Sequence, residues 1–148
     1  MSQAISPVII IMIEDDGGHA RLIEKNIRRA AVTNEIVSFT DGTSALRYLL
    51  GPDGSGEVSK GRKYLLLLDL NLPDMTGLDI LEQIKGNQHL QCIPVVVLTT
   101  TDDAQEIRRC YDHGASFYIT KPVSYDGFAN AIRQIGMLFA IVQVPETT

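Results

Sequence analysis

The chain is short of paired cysteines, of excess positive charge and of long apolar runs, and each shortage removes a class of function. Its 148 residues include two cysteines, Cys92 and Cys110, with no C-x-x-C spacing around either. Neither a disulfide framework nor a zinc site is suggested. Lys and Arg number 13 against 18 Asp and Glu, a formal net charge of −5. That argues against nucleic-acid binding through a broad basic face. The apolar run VIIIMI, Val8 to Ile13, lacks a basic flank and a cleavage site and is far too short to span a bilayer. A cytoplasmic location is therefore expected. What is present is ordinary for a folded domain: 45% apolar and 21% charged residues, in a chain long enough to bury one real core.

Three stretches are solidly apolar rather than alternating: Val8 to Ile13, Tyr64 to Leu68 and Val95 to Leu98. Such Val-, Ile- and Leu-rich runs suit parallel strands covered on both faces. Glu35 to Thr40 and Ser116 to Thr120 are weaker strand candidates. Helical periodicity lies between and after them, in Ala20, Ile23, Ile27 and Ala30, in Ala45 and Leu49, in Leu81 and Ile84, in Ile107 and Tyr111, and in Phe128, Ile132 and Ile135. Asp41-Gly42, Thr76 and Asp102-Asp103 read as helix starts, and Gly114 as a stop. Strand then helix, five times over, predicts an α/β fold: a doubly wound five-stranded parallel sheet with helices on both faces. The connection Gly51 to Lys63 is polar and long, and reads as a surface loop. Gly51 to Gly56 imitates the start of a phosphate-binding loop, but Glu57 and Val58 stand where Lys and Ser/Thr are required.

In such a sheet, chemistry gathers beyond the carboxyl ends of the strands. The predicted strands end in Glu14-Asp15-Asp16, in Asp69, in Thr99 followed by Thr100 and Thr101, and in Thr120-Lys121-Pro122. Singly, each has an ordinary reading: Asp16 as a helix cap, Lys121 as a surface lysine, Asp69 as the start of a loop. Together they crowd carboxylates that repel one another. A divalent cation relieves that repulsion, and oxygen-only ligands select a hard ion such as Mg²⁺. A lysine beside them suits a phosphate oxygen.

These residues resemble the receiver domain of two-component response regulators, over about Pro7 to Gly136. The resemblance rests on the acids of MIEDD, the D-x-x-x-P-x-x-x-G spacing of Asp69, Pro73 and Gly77, the threonine ending PVVVLT, and the Lys-Pro of ITKPV. It implies strand order 2-1-3-4-5, with Asp69 as phosphoacceptor. It implies Glu14, Asp15, Asp69 and the backbone carbonyl of Asn71 as the Mg²⁺ site, Asp15 binding directly and Glu14 through water. It further implies Thr99 as the switch hydroxyl, Lys121 as the phosphate-binding lysine before a cis bond to Pro122, and Tyr118 as the aromatic that changes rotamer. The partner so implied is a sensor histidine kinase.

Two positions depart from the common pattern. Glu14 replaces an aspartate, and Thr100 stands where many receivers carry Ala or Gly. No further domain is expected after residue 136, and the tail, residues 137–148, contains the apolar run Phe139 to Val142. Such a run suggests a homodimerisation arm. The tail, the Glu-Asp pair, LTT and the long loop resemble stand-alone regulators that serve bacterial phytochrome kinases. Rival readings fit less well. An aspartyl-phosphate-type phosphatase needs a second acid where Asn71 stands, a flavin domain would be repelled by EDDGG, and a binding module acting without phosphorylation has no need of the full set.

Overall fold

The computed structural model describes residues 8–29, 31–51, 62–121, 127, 130, 133 and 145–147. The elements run β1 (Ile9–Ile13), α1 (Gly17–Arg29), β2 (Ile36–Phe39), α2 (Gly42–Leu50), β3 (Tyr64–Leu68), α3 (Gly77–Lys85), β4 (Val95–Thr99), α4 (Ala104–Asp112) and β5 (Phe117–Thr120). The strands form one parallel sheet in the order β2-β1-β3-β4-β5, the order that the resemblance implies. Of the predicted fifth helix, Gly127, Asn130 and Arg133 are helical. Pro122, the phosphate-loop imitation after Gly51, and residues 137–144 of the tail lie outside the described residues.

Every residue of β1, β3 and β4 is buried, whereas the edge strands β2 and β5 are not. Alternation along the strands divides the core between the two faces of the sheet. Ile11, Ile13, Leu66, Leu68, Val95 and Val97 pack with Ala45, Leu49, Ile80, Leu81 and Ile84 of α2 and α3. Ile10, Met12, Leu65, Leu67, Val96 and Leu98 pack with Ile23 and Ile27 of α1. Burying each leucine side chain stabilises by roughly 1.5–3 kcal/mol, so β3 is a firm support for whatever it delivers at its end.

The helix starts carry their predicted caps. Asp41 accepts from the Ser44 amide, Thr76 and Asp79 form a capping box, and Asp103 accepts from the amides of Gln105 and Glu106. Two helix faces differ from the periodic reading. Asn26, expected on the polar side of α1, is fully buried and donates Nδ2 to the Leu22 carbonyl. In α4, Tyr111 is 46% exposed and Cys110 is the buried residue. The Tyr111 hydroxyl accepts from the Tyr118 amide at 3.1 Å, which holds its ring along the seam with β5 instead of in the core.

The end of the chain returns to the far end of the sheet. The amide and hydroxyl of Thr147 both donate to the Arg62 carbonyl, at 2.9 and 3.2 Å, and the Cys92 thiol donates to the Glu146 carbonyl at 3.4 Å. No helix among the described residues is long and apolar enough to cross a membrane.

Candidate functional site

β1 and β3 are neighbours, and the connections that follow them run to opposite sides of the sheet, to β2 and to β4, opening a crevice at the carboxyl ends. Glu14 and Asp15 follow β1 and Asp69 follows β3, and the two strands are locked by the Asp69 amide donating to the Ile13 carbonyl at 3.0 Å. Carboxylate oxygens of Glu14, Asp15 and Asp69 all lie within 4.8 Å of one another. Lys121, immediately after β5, reaches across to donate to Glu14 Oε2 at 2.6 Å and Asp69 Oδ2 at 3.1 Å. Lys121, Glu14 and Asp69 are buried, and Asp15 is exposed.

The charge balance within this group is uneven. One ammonium faces three carboxylates, and burial, more than any neighbour, pushes the Glu14 carboxyl up to about 7, with Asp69 adding to the rise and the bond to Lys121 opposing it. A group of oxygens lacking enough positive charge suits a hard divalent cation, so the residues present fit the expected Mg²⁺.

Both oxygens of Asp69 are oriented: Oδ1 accepts from the Asn71 amide at 3.0 Å while Oδ2 faces Lys121. The turn that follows is tightly constrained. A Cβ on Gly77 would lie 2.3 Å from the Asp69 carbonyl oxygen, and the Gly77 amide donates to the Leu70 carbonyl. Only glycine lets α3 begin so close to the strand end. Asn71 is exposed and bridges to Thr76.

Thr99, the last residue of β4, is fully buried, and its carbonyl accepts from the Lys121 amide at 2.6 Å. The Tyr118 hydroxyl donates to the Thr101 carbonyl at 2.6 Å, tying β5 to the loop after Thr99, and burial pushes this phenol up to about 12. Asp16 acts as the cap of α1, accepting from the amides of Gly18 and His19.

Two residues given no role by sequence reasoning enter the picture. His19 places Nδ1 3.3 Å from the Lys121 ammonium. Asp74, five residues after Asp69, accepts from the Gly42 and Thr43 amides at 2.9 and 2.8 Å and from the Thr43 hydroxyl, and these bonds lower its carboxyl to about 2. It clamps the turn after β3 onto the start of α2. No local pattern marks either residue, because both contacts join segments remote in sequence.

A five-stranded parallel sheet with acids and a lysine at its carboxyl edge defines a doubly wound α/β domain with an acidic site, and the sequence match assigns its family. The chain belongs to the response regulator receiver domain family, which it matches over residues 10–133. It is similar to a response regulator receiver domain from Rhodospirillum rubrum, with 70% identity and a TM-score of 0.91, covering 94% of this chain and 98% of that one. It is also similar to response regulator Rcp1 of Synechocystis, 34% identical over 116 residues, 78% of this chain and 77% of the relative. The Mn²⁺-bound form of Rcp1 superposes with a TM-score of 0.84 at 31% identity, covering 94% and 99% of the two chains. The phosphorylated cyanobacterial phytochrome response regulator RcpA gives 0.83 at 32% identity, covering 95% and 99%.

Proposed function

We propose that the protein is a response regulator that accepts a phosphoryl group on Asp69 from the phosphohistidine of a sensor histidine kinase. The observation that carries this reading is the Lys121 ammonium, which spans from β5 to Glu14 and Asp69 in one buried cluster. An Asp69 oxygen attacks phosphorus, the histidine N–P bond breaks, and the electron pair leaves with the imidazole. Asp69 is suited to this because the Asn71 amide and Lys121 fix its carboxylate. Lys121 turns from the carboxylates to a phosphoryl oxygen as negative charge builds there.

Glu14, Asp15, Asp69 and the Asn71 carbonyl would hold Mg²⁺, which when bound neutralises charge on the transferring group. Similarity to Mn²⁺-bound Rcp1 supports a divalent ion in this cluster. Thr99 donates its hydroxyl to the phosphoryl group, and Tyr118 exchanges its bond to Thr101 for the space vacated. The change is thereby passed to the face of α4 and β5. Likeness to the phytochrome response regulator RcpA supports a bacterial phytochrome as the kinase. The reading includes a homodimer, joined through the tail or through the last helix and strand.

Incubation with acetyl phosphate and Mg²⁺ gives a mass gain of one phosphate that hydroxylamine removes. Asp69→Asn abolishes the adduct. An adduct that persists in the variant, or a parent protein that never forms one, would overturn the reading.

A further inference from the structure

The Lys121 ammonium has three hydrogens, and among the described residues three acceptors lie around it. Glu14 Oε2 lies at 2.6 Å, Asp69 Oδ2 at 3.1 Å and His19 Nδ1 at 3.3 Å. Two of these acceptors are carboxylates that the proposed reaction takes away from the lysine, since Asp69 becomes an acyl phosphate and Glu14 would turn toward a bound cation. The third belongs to the first turn of α1, on a ring that is 42% exposed and stands at the open side of the buried cluster. Its backbone is fixed, because the His19 amide donates to Asp16 Oδ1 at 3.0 Å within the cap of α1. The same Nδ1 lies 3.6 Å from Glu14 Oε1 and 3.9 Å from Asp16 Oδ2. The ring therefore occupies a set place between the solvent and the lysine.

We propose that His19 is a positioning residue for Lys121. The lone pair on Nδ1 accepts from the ammonium, and this bond persists when both carboxylates are engaged elsewhere. A lysine held by a rigid helix turn donates its remaining hydrogens toward the Asp69 side without first being drawn out of the crevice by water. The assignment rests on the phosphoacceptor reading of Asp69 and adds a residue to it. It also assigns a task to the glycine just ahead of His19. A Cβ on Gly17 would meet nothing within 4 Å, while one on Gly18 would crowd Asp16 Oδ1 at 3.2 Å. Gly18 thus keeps the cap that sets the imidazole.

The test compares His19→Leu, which keeps bulk and loses the acceptor, with His19→Gln, which keeps an acceptor. Phosphorylation of Asp69 by acetyl phosphate with Mg²⁺ is followed by intact mass. His19→Leu is expected to slow the reaction about fivefold, the effect of one net hydrogen bond, and His19→Gln to stay within about twofold of the parent. The same His19→Leu change is then made in a Lys121→Ala background. If His19 acts through the lysine, its effect disappears there, which a general structural role would not produce. A His19→Leu rate equal to the parent's, or an undiminished effect without the lysine, overturns this inference alone. A parent protein that takes up no phosphoryl group overturns the proposed function and this inference with it.

Discussion

Glu14 is a residue whose chemistry is strongly altered by its setting. Burial raises its carboxyl from 4.5 to about 7, so the folded protein binds a proton there more tightly than the unfolded chain does. The sign follows from linkage: this proton favours the fold in acid, and the advantage is lost as pH rises through about 7. A cation at Glu14, Asp15 and Asp69 must compete with the same proton. Mg²⁺ affinity is therefore expected to strengthen between about pH 6 and pH 8, with proton release on binding, and Glu14→Gln to flatten the dependence. Calorimetric titration in two buffers of different ionisation enthalpy measures both. Equal affinity and no proton release across the range would show that Glu14 does not take part.

Among the elements, α1 ends in a way the sequence does not advertise. The Ala31 amide donates to the Arg28 carbonyl and the Val32 amide to the Ile27 carbonyl, the paired bonds of a Schellman motif. Ala31 takes the left-handed position with φ 64°, where glycine is the usual occupant and a Cβ is strained. Ala31→Gly is expected to stabilise the protein by ~1 kcal/mol, seen as a higher urea midpoint with unchanged slope. A lower midpoint would contradict the assignment. Side-chain caps at Asp41, Thr76 and Asp103 are legible because they use their own characteristic residues. This stop is legible only in backbone angles. Asn26 and Tyr111 escaped for a related reason. Periodicity locates a helix face, but the Leu22 carbonyl and the Tyr118 amide decide whether a polar group can be buried or an aromatic drawn outward.

At the scale of the whole molecule, the sheet was largely readable. Fully covered strands leave uninterrupted apolar runs, and parallel topology then dictates which residues share an edge. The convergence of Glu14, Asp15, Asp69, Thr99 and Lys121 on that edge follows from strand endings alone. The contacts of His19 and Asp74 do not, because distances across the crevice and across the α2 start are not encoded in any one segment. The proposed dimer belongs to this scale too. Tyr111 and Phe117, 46% and 43% exposed, lie on neighbouring α4 and β5, and Glu146 and Thr147 bond to Cys92 and Arg62. If the tail joins two copies, a chain ending at Gly136 should sediment as a monomer where the full chain is a dimer. An unchanged sedimentation coefficient per mass, with both forms alike, would remove the arm.

Thr99 pairs in register with Thr120, and its carbonyl receives the Lys121 amide. The hydroxyl assigned to the switch and the lysine assigned to the phosphate are therefore carried on one hydrogen-bonded joint. For protein engineering, this makes the joint the unit of transfer. Copying Thr99 and Lys121 into another scaffold as isolated side chains would lose the backbone bond that fixes their spacing. Grafting the ends of β4 and β5 together would carry the spacing along.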